Sequence, residues 1–352
     1  VSATIETGRP GGTISEAKLV YGIGAATSGT LDMAYDSSSK IGTAVIPPLP
    51  DGAVVWYYIT AKDNSNENAQ FPADISKARP FYIVRDGNAR IRDIQYTPYS
   101  DGVPGSLGFT ATTRGTVTAA ADSTSLGLVY IQDDTQPWSG MMVRGDANVR
   151  GLKLGDDVTV IGKVAEGYSS SSNGNTLLLD AAIVQKNGSA QVPAPIALTT
   201  GGFKTESVTD GTPSAEQWEG MLVTFSTLNV TKSNADEATG GRFGEFLVND
   251  GSGDMRVDDF GSWKTVYTTD SLKTSLLYLK KGTTISSLTG IMYFNFGNYK
   301  LQPRNAGDFG SVTDVATTPG TPTGFALRSV YPNPATLAGG AAIVFDVPEL
   351  SQ

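Results

Sequence analysis

The sequence predicts an all-β protein: a sandwich, two small barrels in tandem and a C-terminal β segment. Three observations predict it. The stretch from Arg114 to Val184 is stated a second time between about Glu219 and Gly307, and an internal repeat establishes architecture before any single element is argued. Gly 41 and Pro 18, with abundant Thr, Ser, Val and Asp, punctuate short runs of period-2 alternation, the pattern of strands joined by tight turns. At 352 residues the chain is also too long for one ordinary core.

The first copy reads TRGTVTA, LGLVYIQDD, MMVRG, GLKLGDDVTVIGKV and NTLLLDAAIV. The second reads EGMLVTFSTLNVT, FGEFLVNDG, MRVDD, LKKGTTISSLTGI and NYKLQPRNAG. Ile131-Gln132-Asp133 falls on Val248-Asn249-Asp250, Val143 on Val257, and Leu154-Gly155 on Lys281-Gly282.

Residues 1–86 hold short alternating runs separated by Gly, Pro, Ser and Asn turns. In VVWYYITAKD, Val55, Tyr57 and Ile59 share one face while Trp56, Tyr58 and Thr60 share the other, and both faces suit a central strand. Residues 87–109 are rich in Pro and Gly and read as a connector. The first barrel is expected over 110–200, with strands at 113–119, 126–132, 141–144, 157–164 and 176–184 and bends at Gly115 and Gly162. The second spans 201–310, with a short helix expected at 270–279. A Thr/Pro/Gly linker follows over 311–326, and 327–352 is a further β segment. Starting at Val1 without Met or signal peptide, the chain reads as a processed product or an expressed fragment, and Gln352 falls inside an unfinished β pattern.

Three resemblances attach to these residues. AVIPPLPDGAVVWYYITAKDNSNENAQFP resembles the second half of Ig-like or fibronectin-type-III-like modules of secreted bacterial proteins, which implies a spacer or adhesion role. IRDIQYTP followed by TTRGTVTA resembles the lead-in to OB-fold domains of large secreted bacterial nucleases and lipoproteins. Tyr331, Pro332, Asn333 and Pro334, with AAIVFDVPE beyond, resemble the start of the C-terminal sorting domain of type IX secretion in the Bacteroidetes. The later strands of that family are missing. This resemblance implies a secreted protein, extracellular or at the outer-membrane surface.

Two absences narrow the chemistry. Cys 0 leaves no disulfide, thiolate nucleophile or Cys-ligated zinc, and His 0 leaves no Ser-His-Asp triad or imidazole base. An enzyme would depend on carboxylates, Lys, Tyr or a Mg²⁺/Ca²⁺ site. The net charge of −9 supplies no basic footprint for nucleic acid. No apolar run is long enough to span a bilayer.

Asp63, Asn64 and Asn66 offer oxygen donors of calcium-ligand type, weighed against a plain Asn/Asp turn. Asp254, Arg256 and Asp258 share one face by period 2, weighed against a D-G turn with a solvated edge. Asp156-Asp157 reads as a turn. Trp138, Trp218, Trp263, Tyr130, Tyr168, Phe294, Phe296 and Tyr299 are a general supply of aromatics. On the strand 2–3 face that OB-folds use for saccharides or single strands, the candidates are Tyr130, Trp138, Met142 and Arg144, then Phe246, Arg256 and Trp263. Packing is the plainer role for them.

The sequence therefore leads to a secreted, non-enzymatic structural or adhesive protein with no cofactor except a conceivable calcium. Its partners would be copies of itself or other surface proteins. The residues at 341–347 form an apolar strand without its own partners, suited to adding onto another β-module and supporting filaments. The alternative is an OB binding module for saccharide or single-stranded nucleic acid, accessory to a larger secreted nuclease or hydrolase.

Overall fold

The computed structural model describes residues 1–76, 79–99, 102–167, 174–203, 213–273, 275–313, 326–331 and 342–346. It is all-β, with 46% strand and three short helices among the described residues. In the N-terminal sandwich, β1 (Ser2–Thr4), β5 (Ile41–Thr43) and β4 (Ala34–Asp36) form one sheet. The other orders β3 (Ala26–Asp32), β2 (Ile14–Ile23) and β6 (Val54–Asp63), with β7 (Asn68–Phe71) and β8 (Phe81–Ile83) both pairing β6. β6 is central, as its two β-forming faces require. Ile59 packs into the sandwich core with Leu19 and Met33, whereas Trp56 on the opposite face meets Phe81, Tyr96 and Tyr99.

The first barrel closes in the order β9-β10-β11-β13-β12. Its strands are β9 (Thr110–Ala119), β10 (Val129–Gln132), β11 (Gly140–Gly145), β12 (Asp156–Glu166) and β13 (Thr176–Ser189), and only β11 and β13 run parallel. This is the connectivity of the five-stranded OB barrel. α2 (Ala147–Arg150) follows β11, capped by the Asp146 carboxylate on the amides of Asn148 and Val149.

Residues 87–109 are more than a connector. They contain α1 (Ile91–Gln95), whose Ile91 and Ile94 sit in the barrel core with Val117, Ile131, Met141 and Val160. The Pro- and Gly-rich flanks concealed this plug, because one helical turn is too short to display a periodicity.

The second barrel repeats the first. β15 (Leu222–Lys232), β16 (Phe246–Asn249), β17 (Asp254–Val257), β21 (Asn298–Gln302) and β20 (Thr284–Asn295) follow in order, closed by β15 on β20, with β17 and β21 parallel. α3 (Pro213–Glu216) leads in, and β14 (Ile196–Ala197) and β22 (Val312–Thr313) extend the sheet. Even the registers match: Val129 faces Val143 and Ile131 faces Met141, as Phe246 faces Val257 and Val248 faces Met255. Gly155 (φ +83°) donates to the Val117 carbonyl and Gly282 (φ +91°) to that of Val230, each just before the fourth strand. Both need the left-handed conformation that glycine adopts without penalty.

Three expectations are corrected. The excursion at 270–279 is not a helix: β18 (Tyr267–Thr268) pairs in parallel with β19 (Leu277–Tyr278), and the helical turn lies earlier, at Ser262–Thr265. The linker assigned to 311–326 begins inside the barrel sheet as β22. The apolar strand near the C-terminus has a partner, because β23 (Ala326–Tyr331) and β24 (Ala342–Asp346) form an antiparallel pair. Pro332, Asn333 and Pro334 lie outside the described residues, as do Tyr168 and the 169–173 part of the serine-rich tip.

The barrels interlock. Tyr130, Met142 and Leu177 on the outer β10–β11–β13 face of the first pack on Leu222, Ile291 and Tyr293 from β15 and β20 of the second. Full burial of each such side chain contributes about 1.5–3 kcal/mol. The seam is also stitched by polar contacts: Gln132 Oε1 accepts from the Leu222 amide at 2.9 Å, and Asn175 Oδ1 from the Phe294 amide at 2.8 Å. Gly140 and Gly220 permit the closest approach, since a Cβ on Gly140 would lie 2.3 Å from the Gly220 carbonyl oxygen.

Candidate functional site

The aromatics expected on the two strand 2–3 faces are not on the surface. Tyr130 is fully buried in the seam, and its hydroxyl lies 3.5 Å from Gln302 Oε1. Trp138 is buried where the three modules meet. It packs edge-on against Tyr96 at 5.5 Å, and its amide, at φ +73°, donates to the Gln217 carbonyl at 2.7 Å. Phe246 and Trp263 are core residues of the second barrel, 5.8 Å apart edge to face, and Trp263 Nε1 donates to the Phe260 carbonyl. Tyr130, Trp138 and Phe246 are thus buried in seams and core, and Trp263, equally buried, is among the residues lining a groove of the second barrel. Alternation along a strand does not reveal that the outward face of one barrel is covered by the next. Arg144 is exposed and borders an open depression with Asp146 and Asp180.

Arg256 occupies the position that Met142 holds in the first barrel, opposite Leu247 and beside Lys300 as Met142 stands opposite Tyr130 and beside Leu177. The repeat has exchanged an apolar docking face for a charged one. Arg256 Nη1 bonds Asp236 at 2.9 Å and Glu245 at 2.6 Å; Lys300 Nζ bonds Glu245 at 2.5 Å and stands 3.8 Å from Asp258. Burial pushes the Asp258 carboxyl up to about 6, against the pull of Lys300 and of the Phe260 amide. Through Asp236 and Glu245, Arg256 anchors the 233–245 loop, while its own buried Nε has no hydrogen-bond partner.

Above this network lies a groove of about 380 Å³ between the β15–β16 loop and the β17–β20 excursion, lined by Asn234, Arg242, Phe243, Asp259, Lys264 and Asp270 among others. Its walls are tied together by the Thr269 hydroxyl, which donates to the Gly244 carbonyl at 3.1 Å. Arg242 pairs with Asp270 at 3.8 Å and Lys264 with Asp259 at 3.3 Å. Phe243 at the groove is 68% exposed, and Phe296 on the β20–β21 hairpin is 72% exposed. Phe296 shares a two-residue turn with Gly297, both at positive φ (51° and 73°), between the paired Asn295 and Asn298. Such turns take Asn-Gly, and a bulky residue there is a strained outlier. The phenyl ring stands 5.6 Å from Lys300 Nζ. Phe243 was not among the sequence candidates and Phe296 only among the general aromatics; the NFGN turn, with Phe where Asn belongs, was the available signal.

Asp63, Asn64 and Asn66 form a closed turn. Asp63 is buried, and its Oδ1 accepts from the amides of Ser65 at 2.7 Å and Glu67 at 3.0 Å, while Asn66 takes a left-handed φ of 67°. Asn64 Oδ1 accepts from the Thr13 amide at 3.4 Å. The Asx turn thus engages Asp63 Oδ1. Among the described residues no group of three or more His, Cys, Asp or Glu side chains is placed to hold a metal. Asp254 accepts from the Thr231 hydroxyl and the Asn249 side-chain Nδ2, and Asp157 pairs with Arg114. No helix among the described residues is long and apolar enough to cross a membrane.

Comparison with protein-family models, with curated proteins and with solved structures returned no match.

Proposed function

We propose that this chain is a secreted, non-enzymatic protein of the cell surface, structural or adhesive, in which the sandwich and first barrel form a pedestal and the second barrel presents the contact surface. The observation that carries the reading is the asymmetry of the repeat. The outer face carrying Tyr130, Met142 and Leu177 holds the next module, whereas the equivalent face of the second barrel carries Arg256 and Lys300 under loops that expose Phe243 and Phe296. Joining modules through apolar seams suits a load-bearing or spacing role, and exposed aromatics, Phe296 at a strained turn position, suit contact with a partner. The Tyr331–Pro334 phrase supports export to the outer surface, and self-association or binding to other surface proteins belongs to the same reading. The test is to raise antibodies against the purified protein and label intact source cells, and in parallel to assay turnover of nucleic acid, peptide and polysaccharide. Surface labelling without turnover is expected. Labelling only after lysis, or turnover that survives purification, contradicts the proposal.

A further inference from the structure

We infer that Lys300 and Asp258 condense to an intramolecular isopeptide bond, with Glu245 as the proton carrier, so that the second barrel locks itself covalently. This is one self-modification per molecule rather than turnover of a substrate, and it is independent of what the outer surface contacts.

The three side chains converge in a buried spot. Lys300 is 4% exposed, Asp258 4% and Glu245 8%, and the Phe296 ring covers the amine with its centroid 5.6 Å from Nζ. Lys300 sits on β21 and Asp258 just past the end of β17, the parallel neighbours that no hairpin joins. The Asp258 amide donates to the Leu301 carbonyl at 2.8 Å, which holds this residue beside Lys300. Lys300 Nζ lies 2.5 Å from Glu245 Oε1 and 3.8 Å from Asp258 Oδ2. The first contact is a hydrogen-bonded ion pair. The second is too long for a hydrogen bond, and a side-chain adjustment brings it toward the roughly 3–3.5 Å of a reactive pair.

Each group has a role that amide formation requires. Glu245, bonded by both cations, is the base: Oε1 takes a proton from Nζ while Arg256 Nη1 holds Oε2 at 2.6 Å. Burial pushes the Asp258 carboxyl up to about 6, which favours the protonated acid that an amine attacks. The Phe260 amide donates to Asp258 Oδ1 at 2.8 Å and stabilises the negative charge that this oxygen gains in the tetrahedral intermediate. Nζ bonds to Cγ, the Cγ–Oδ2 bond breaks, and Oδ2 leaves as water. Of the three ammonium protons, one stays on the amide nitrogen and one departs in the water with the carboxyl's own proton. The third remains on Glu245 until solvent takes it. The step balances without an oxidant or co-reactant. It also removes a buried ammonium and a buried carboxyl, and with them their desolvation cost.

The repeat supplies a contrast. The corresponding positions of the first barrel hold Leu128, Arg144 and Leu177, which cannot form the bond. The link belongs to the barrel whose parallel pairing is confined to Arg256–Lys300 and Val257–Leu301.

The experiment is the intact mass of the purified full chain under denaturing conditions, followed by a tryptic map. The parent chain should weigh one water less than its sequence, and the map should show fragment 257–264 joined to 282–304 through Asp258 and Lys300. A succinimide at an Asp-Gly step loses the same water, so the joined pair decides. Lys300→Arg and Asp258→Ala should abolish the joined pair. Glu245→Gln should slow its formation by about 10²–10⁴-fold, the scale of a lost acid–base group. Absence of the joined pair from the folded parent chain overturns the inference whether or not the variants fold. Lys300 joined instead to fragment 243–256 through Glu245 overturns the assignment of Asp258, and formation at the parental rate in Glu245→Gln overturns the proton-carrier role.

Discussion

Asp133 and Asp250 perform one task at equivalent stations: each accepts the amide of the first residue of the helical turn that leads into its own barrel. Asp133 Oδ2 takes the Ile91 N–H of α1 at 3.0 Å, and Asp250 Oδ2 takes that of Thr200, which opens the single 3-10 turn Thr200–Gly202 upstream of α3, at 3.0 Å. The repeat therefore includes the lead-in turn as well as the five strands. The two carboxyls nevertheless titrate in opposite directions. Burial pushes Asp133 up to about 6, only partly offset by the Ile91 amide and its own. Burial also opposes ionisation of Asp250, but hydrogen bonds from the hydroxyls and amides of Ser252 and Thr200 outweigh it and hold it at about 2.

Replacing each Asp by Asn should therefore have opposite consequences. A raised folded-state pKa contributes stability that is full below the ordinary carboxylate range of about 4 and lost as pH rises through about 6. Asp133→Asn keeps an acceptor for Ile91 and should flatten the decline between pH 4 and 7, leaving the variant at least as stable at pH 7.5. A lowered pKa contributes stability present above about 4 and lost as pH falls through about 2. Asp250→Asn should thus be less stable than the parent at neutral pH. Denaturant titrations across pH check both, and the same sign for both variants at pH 7.5 contradicts the assignment.

Glu219 makes a similar prediction for the seam. It is almost wholly buried, accepts the Thr176 amide at 2.8 Å, and is pushed well above the usual carboxylate range by burial and by Glu216 and Glu166. Its stabilising protonated form is lost as pH rises through that elevated value. Glu219→Gln, neutral at every pH, should raise the melting temperature at pH 8 and leave it little changed at pH 4. Calorimetry at the two pH values checks this.

Gly220 combines a left-handed φ of 72° with backbone atoms of Gly140 and Met141 that a Cβ would meet at 2.8–2.9 Å. Gly240, at φ 76°, has nothing within 4 Å. Alanine at Gly240 should carry the conformational penalty alone, about 1 kcal/mol, whereas alanine at Gly220 should cost clearly more, about 2–4 kcal/mol. Chemical denaturation of the two variants measures the difference, and equal losses would show that the seam is not tightly packed there.

Most of the architecture was legible because period-2 alternation and a double statement of the same motif are local properties of a chain. IQDD over VNDG and the two Leu/Lys-Gly steps located both barrels. What escaped was set by contacts between modules. Ile91 and Ile94 plug a barrel from inside a Pro- and Gly-rich stretch, and where a helix was expected at 270–279, Leu277–Tyr278 pairs in parallel with Tyr267–Thr268. The site was less legible than the fold. Tyr130 and Met142 have the alternation of an open binding face, and only the arrival of Leu222, Ile291 and Tyr293 buries them. Phe296 departs from turn chemistry in a way visible in the sequence, but Phe-Gly between two Asn attracts notice only once the hairpin is known.

The central claim is that the recognition surface lies on the loops of the second barrel, with the strand 2–3 face of the first sealed. Hydroxyl-radical footprinting of the intact chain, read by mass spectrometry, tests it residue by residue. Phe243 and Phe296 should be modified rapidly, while Tyr130, Met142, Phe246 and Trp263 should be protected until the protein unfolds. Modification of Tyr130 and Met142 in the folded protein at the rate of Phe243 would contradict the account, because the seam would then be open and the first barrel free to bind.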